Sequence, residues 1–187
     1  MADETGKRLW RFGRWIAVAM LILTVPWVAM RFTSEVAWTG SDFVFAGALI
    51  LGVGFAYELA AMRGNAAYRA ATALALAAAF LTVWFTGAVG IIGDEGNSAN
   101  LLFGGVLATA LLGAAVARFR PAGMSLAMIA AACAQVLIGA VALAMGWGAT
   151  DPSYPWDIVG VTGVFALLWL ASAALFRNAA RATPART

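Results

Sequence analysis

Six long apolar segments, separated by short polar stretches, account for most of the chain. Their apolar character is continuous rather than alternating, and each approaches the roughly 20 residues that a helix needs to cross a bilayer. The pattern predicts an all-α polytopic membrane protein, with six transmembrane helices in a compact bundle. We expect one domain over residues 1–187, with short tails at 1–13 and 178–187. The segments cover residues 15–30, 42–62, 66–92, 100–117, 122–145 and 157–176.

Basic and acidic residues lie at opposite ends of these segments. Every Lys and Arg except Arg31 falls at the end that the two termini share. Loops rich in Lys and Arg stay in the cytoplasm, so we expect both termini to be cytoplasmic. The other end carries an acidic surface, which we expect to face the periplasm. Its residues are Glu35, Asp42, Asp94, Glu95, Asp151 and Asp157.

The amino-acid composition excludes several kinds of functional site. Only 11% of the residues are charged, against about 25% in a soluble domain. The chain has no His, which excludes a His-ligated haem, a zinc–histidine site and an imidazole base. Its single cysteine, Cys133, forms no intrachain disulfide and is expected to be a small buried hydrophobe. We therefore expect no enzyme activity, no metal site and no cofactor.

The net charge of +3 does not indicate nucleic acid binding. No basic patch forms apart from the residues that set the topology, and these also contact anionic lipid headgroups. The expected partners are the lipid bilayer, further copies of the chain or a larger membrane complex.

A spacing of about 58 residues relates three pairs of successive segments. It links Gly47, Gly105 and Gly163, and also Asp42, Asn100 and Asp157. The pattern suggests three related helical hairpins, although uniform segment lengths would give a similar spacing.

The three polar residues of this series open the helices that enter from the acidic side. Asp42, Asn100 and Asp157 are typical N-cap residues, and the charge of an Asp also complements the positive helix terminus. In the other interpretation the acids form a vestibule that attracts cations.

Polar groups inside the apolar segments are the candidate functional residues. Glu58, preceded by Tyr57, lies near the basic end of the second segment. An ion pair with Arg63 or Arg69 is one interpretation, and an ion relay or attachment to a partner are the others. Gln135, in the middle of the fifth segment, needs an interhelical hydrogen bond or a substrate.

Small residues and one proline predict how the helices pack. Ala67, Ala71 and Ala75 follow one another at four-residue spacing, which allows close helix approach and predicts a tight bundle. Pro26 predicts that the first helix kinks or ends near residues 24–27. Trp84 and Trp169 lie deep in their segments, where they could face lipid, a pigment or a partner, and we expect one or the other on an exposed face that a partner covers.

Four stretches carry a resemblance to a known group. They are WTGSDF at 38–43, YEL at 57–59, NAAYR at 65–69 and AVGIIGDEGNSAN at 88–100. They resemble small six-helix inner-membrane proteins of proteobacteria, a group to which no activity is assigned. The resemblance implies a bacterial inner-membrane protein and no site residues.

Small size, tight packing and the lack of catalytic groups favour a non-catalytic accessory, scaffold or assembly subunit. The alternative is a small transporter or channel, with Glu58 and Gln135 along the path from an acidic vestibule. A membrane enzyme would depend on Glu58, Tyr57 and Arg69.

Overall fold

The computed structural model describes residues 2–62 and 64–182, and over these residues it is built from helices. Six of them are long and apolar enough to cross a membrane, counting a 3₁₀ turn at Ser98–Phe103 with the helix that follows it. This confirms the predicted all-α class with six transmembrane-like helices. The helices are α1 Ala2–Phe32, α2 Gly40–Ala61, α3 Ala66–Ala88, α4 Gly104–Val116, α5 Pro121–Ala144 and α6 Trp156–Arg181.

The helices group into two compact units, α1 with α2 and α3 with α4, α5 and α6. Each unit has its own packing. The single domain over residues 1–187 stays a prediction. Arg63 and residues 183–187, part of the expected C-terminal tail, lie outside the described residues.

In the first unit, α1 runs to Phe32 without ending at Pro26. The prediction of a helix end near residues 24–27 is therefore wrong. A proline removes one backbone donor, but membrane helices tolerate this loss where a neighbouring hydroxyl binds a backbone carbonyl. Pro26 leaves the carbonyl of Ile22 without its helical donor, whereas the hydroxyl of Thr24 donates to the carbonyl of Met20 one turn before it, at 2.7 Å.

The start of α2 corrects the role predicted for Asp42. Thr39 is the N-cap residue, and its hydroxyl accepts from the Asp42 amide. Asp42 stands at the third helical position, where its carboxylate accepts from the Thr39 amide at 2.7 Å. This reciprocal capping box satisfies two backbone donors.

In the second unit, α6 packs against both α3 and α5, while α4 packs mainly against α5. Helices α3 and α4 follow each other in the chain but pack little against each other. The glycines of the proposed repeat also differ. A Cβ on Gly47 would lie 3.4 Å from Leu23, whereas one on Gly105 or Gly163 would meet nothing within 4 Å. The structure does not support three equivalent hairpins.

Small residues bring the helices of the second unit close together, as the sequence predicts. A Cβ added to Gly113 would lie 2.6 Å from Ala127, and one added to Gly139 would lie 2.6 Å from Thr162. α6 is fixed from both sides by hydroxyl groups. Ser125 donates to the carbonyl of Ala173 and Ser172 to that of Ala71, both at 2.8 Å.

Cys133 differs from its prediction, because its side chain is exposed on the outer side of α5 rather than buried. In a membrane, such a face meets hydrocarbon or another helix instead of water.

Candidate functional site

The best-defined polar site of the chain lies in the first unit, around Glu58 of α2. Glu58 is 4% exposed. Its carboxylate forms an ion pair with the Arg14 guanidinium and accepts a hydrogen bond from Trp15 Nε1 at 3.0 Å. Both donors belong to α1, so the site joins the two helices of this unit. We call these three residues together with Gly54 and Tyr57 the Glu58 cluster.

The local sequence explains how Trp15 reaches the carboxylate. Gly54 lies one helical turn before Glu58, and a Cβ at this position would lie 2.4 Å from the indole of Trp15. The missing side chain therefore lets the indole lie directly against the α2 backbone. Tyr57 packs edge-to-face on the same indole, with ring centroids 6.2 Å apart.

The cluster holds a buried negative charge in a fixed position. A buried carboxylate without a partner is strongly unfavourable, whereas a charged donor and a second hydrogen bond stabilise its ionised form. Arg14 is 45% exposed at its side chain, so the ion pair also reaches the surface. The arrangement can anchor α1 to α2.

Part of this site agrees with the prediction from sequence. Glu58 is buried and Tyr57 lies in the same cluster, but the described ion pair is made with Arg14. Arg63 lies outside the described residues, and Arg69 is an exposed residue of the other unit, so pairing of Glu58 with either stays a prediction.

Sequence reasoning missed Arg14 and Trp15 as members of the site. The available signal was their position. Both stand at the basic end of the first segment, where an antiparallel neighbouring helix brings the end of α2 that carries Glu58.

A second group of polar side chains lies inside the α3–α6 unit. Gln135 is fully buried, and within the described part of the chain neither atom of its amide has a hydrogen-bond partner. The interhelical bond predicted for Gln135 is therefore not found. The same holds for the buried polar atoms of Thr72, Thr162 and Trp169.

Gln135 of α5 and two of these groups, Thr162 and Trp169 of α6, belong to one packed pair of helices. Gly139, one turn after Gln135, contacts Thr162. α5 and α6 run in opposite directions, so Gln135 comes level with residues between Thr162 and Trp169. Trp169 is 1% exposed, so of the two tryptophans considered for an exposed partner face it is not the one. Trp84, the other tryptophan predicted there, is half-buried and stacks on Phe80.

Three carboxylates of the predicted acidic surface, those of Asp42, Asp151 and Asp157, make local backbone contacts. Asp151 accepts from the Ser153 amide and Asp157 from the Ile158 amide, both at 2.7 Å. Asp157 lies in the first turn of α6, whose N-cap residue is Pro155. Glu35 and Glu95 are exposed. Among residues 2–62 and 64–182, no group of three or more His, Cys, Asp or Glu side chains is placed to hold a metal ion.

Asn100 has a different role from the helix cap predicted for it. Its Oδ1 accepts from the amides of Ile91 and Ile92 at 2.8 and 2.9 Å. Its Nδ2 donates to the carbonyl of Asp94 at 2.8 Å. One buried amide therefore fixes the loop between α3 and the 3₁₀ turn, and satisfies backbone groups that would otherwise be buried without partners.

Comparison of the chain with protein-family models, with curated proteins and with solved structures gives no match. The resemblance to proteobacterial inner-membrane proteins therefore stays a prediction, and the function is argued from the geometry of this chain.

Proposed function

We propose that the protein is a non-catalytic accessory or assembly subunit of the bacterial inner membrane. It associates through α1 with a second copy of itself or with a larger membrane complex. Both termini are cytoplasmic in this proposal, since the basic ends of the helices lie on their side.

The exposure of α1 carries this proposal. Only 6% of its membrane-spanning part is buried. Leu21 is 72% exposed, and most of the other large apolar side chains of α1 are exposed as well. Ala19, at 4%, is buried. A helix with so few protein neighbours gains van der Waals contacts when it packs against a partner helix, and this packing drives helix association in lipid.

The Glu58 cluster fits the same role. It fixes α1 to α2 at one end through an ion pair and an indole hydrogen bond. Helix α1 is then held at a defined orientation, while most of its length stays available to a partner. Ordering the helix before it binds reduces the entropy cost of association.

Site-directed cross-linking in native membranes tests this proposal. In a Cys133→Ser background, cysteine is introduced at exposed Leu21 or, as the matched control, at buried Ala19. We expect Leu21→Cys to form a cross-linked species through a short bifunctional thiol or photoactivatable reagent, and Ala19→Cys to form none. Absence of any cross-linked species from Leu21, and from Met20 and Val25 tested in the same way, would contradict the proposal.

Transport is the second candidate function, and the orphaned polar atoms around Gln135 favour it. Buried donors and acceptors without protein partners require an explanation, and a bound polar solute is one. Purified protein in liposomes distinguishes the two functions. An accessory subunit gives no ion flux above that of empty vesicles, whereas a transporter gives a flux that Gln135→Leu abolishes.

A further inference from the structure

One end of the α3–α6 unit brings three chain segments together around Tyr68. The Tyr68 hydroxyl donates to the carbonyl of Phe119 at 3.0 Å, in the turn between α4 and α5. Its ring packs edge-to-face on Phe176 of α6 at 5.1 Å. Asn65 Nδ2, just before α3, donates to the carbonyl of Ala179 in the last turns of α6. The start of α3, the α4–α5 turn and the end of α6 therefore share one surface.

The α4–α5 turn at this surface has an unusual backbone. Arg118 and Phe119 adopt φ values of 49° and 58°. This left-handed conformation is unfavourable for residues with a Cβ and is usually left to glycine. Hydrogen bonds hold it in place. The Phe119 amide donates to the carbonyl of Ala114, and the Phe119 carbonyl accepts from Tyr68.

The strained turn exposes a basic and an aromatic group side by side. Phe119 is 48% exposed, and both arginines that flank it, Arg118 and Arg120, are exposed. Two glycines would satisfy the same backbone without strain. Persistent strain of this kind is commonly found where the side chains have a function.

Charge at this surface has one sign. Over residues 64–182, the basic residues lie at the end of the helices that carries this surface. The acidic residues lie at the opposite end, in the loops and at the start of α6. The basic residues are Arg69, Arg118, Arg120, Arg177 and Arg181, and the acidic ones are Asp94, Glu95, Asp151 and Asp157.

We propose that this surface, the Arg118–Arg120 turn with its neighbouring arginines, binds the phosphate headgroup of an anionic phospholipid. Arginine binds phosphate through two parallel hydrogen bonds, and its positive charge is attracted to an anionic leaflet. Phe119 supplies an exposed aromatic ring between the two arginines, which can contact the acyl chains next to the headgroup. The end of a bundle of transmembrane-like helices is where headgroups are found, which identifies a lipid as the source of the phosphate.

Lipid binding to the purified full chain in a neutral detergent tests the proposal. Phosphatidylglycerol or phosphatidylcholine is added, and bound lipid is counted by native mass spectrometry. We expect preferential retention of phosphatidylglycerol by the wild type, and about a five-fold loss of affinity for each arginine changed in Arg118→Gln/Arg120→Gln. Arg118→Lys/Arg120→Lys keeps the charge without the paired hydrogen bonds and is expected to bind with intermediate affinity.

Arg31→Gln is the matched control, because Arg31 is an exposed arginine of α1 that lies over the Trp27 ring, 4.9 Å from its centroid. We expect it to retain phosphatidylglycerol as the wild type does. Circular dichroism and the unfolding temperature in detergent alone show whether the Gln and Lys variants are folded. If the Gln variant is not folded, the lipid affinity of the Lys variant is compared with that of the wild type instead. Equal retention of both lipids by the wild type, or unchanged phosphatidylglycerol retention in the folded Arg118 and Arg120 variants, would overturn the proposal. Full competition by inorganic phosphate at equal concentration would also overturn it, since the site would then be one for free phosphate.

Discussion

The carboxylate of Glu58 shows how one buried charge can determine the arrangement of a helix pair. It is 4% exposed, and both of its described donors come from α1. The indole donor is possible only because Gly54 has no side chain. The charge, the tryptophan and the glycine therefore act as one unit, and changing any of them should affect the other two.

The Arg14–Glu58 pair predicts coupled effects on stability. Arg14→Gln leaves a buried carboxylate with a weaker set of partners and should lower the free energy of unfolding by about 1–3 kcal/mol. Glu58→Gln should also destabilise, and the double variant should lose less than the sum of the two. Thermal unfolding in detergent measures all three. Strictly additive losses would show that the two side chains do not interact.

We predict that alanine substitutions at two glycines of α2, Gly54 and Gly52, have different effects on stability. In Gly54→Ala the new Cβ would have to displace the Trp15 indole, so we expect a loss of about 1–3 kcal/mol and a change in tryptophan fluorescence. Gly52→Ala is the control, because a Cβ there meets nothing within 4 Å. It should leave stability unchanged or raise it, since alanine favours a helix. Equal effects at both positions would contradict the described contact.

At the scale of elements, the sequence predicts helix positions well and their contacts poorly. The fifth segment, predicted at 122–145, is observed at Pro121–Ala144, because a long apolar run has few alternatives in a membrane. The helix end predicted at Pro26 is wrong, because α1 continues to Phe32, while a kink there stays a prediction. The Arg14–Glu58 pair and the Tyr68 bond that holds the turn at Arg118–Phe119 join groups far apart in the chain, and the contacts of Asn100 depend on an irregular loop. Periodicity does not encode such contacts.

Because Asn100 holds its loop in place, we predict that aspartate substitutions at Asn100 and Asn97 have different effects on stability. Asn100→Asp keeps the acceptor for Ile91 and Ile92 but removes the donor to Asp94 and buries a charge, so it should cost about 1–3 kcal/mol. The side chain of Asn97 accepts a hydrogen bond from the Ala99 amide at 3.0 Å, and a carboxylate can replace that role. Asn97→Asp should therefore stay within about 0.5 kcal/mol of the wild type. Thermal unfolding compares the two variants. A similar loss in both would mean that the Nδ2 donor of Asn100 is unimportant.

At the scale of the whole molecule, the arrangement of charge gives the orientation that we propose. In the α3–α6 unit the basic and acidic residues occupy opposite helix ends. In the α1–α2 unit Arg14 lies with Glu58 towards one end, while Asp42 is in the first turn of α2 at the other. Basic residues are retained in the cytoplasm during insertion, which orients the helices.

Labelling with a membrane-impermeant thiol reagent tests this orientation in intact cells. In a Cys133→Ser background, cysteine at Thr39, Ser98 or Ser153 should react from outside. Cysteine at Gly64 or Arg120 should react only after the cells are opened. Reaction of the Arg120 position from outside would contradict the proposed topology.

The exposed side chain of Cys133 allows a spin label to be attached without any change to the sequence. The residue is close to the midpoint of Pro121–Ala144 and lies on an outward face. A nitroxide attached there should be reached readily by dissolved oxygen and poorly by a water-soluble nickel complex, as expected at the centre of a bilayer. Because each chain carries one such thiol, a dipolar distance between two nitroxides arises only when two copies associate. The same label therefore reports both the depth of α5 and the number of chains in the assembly.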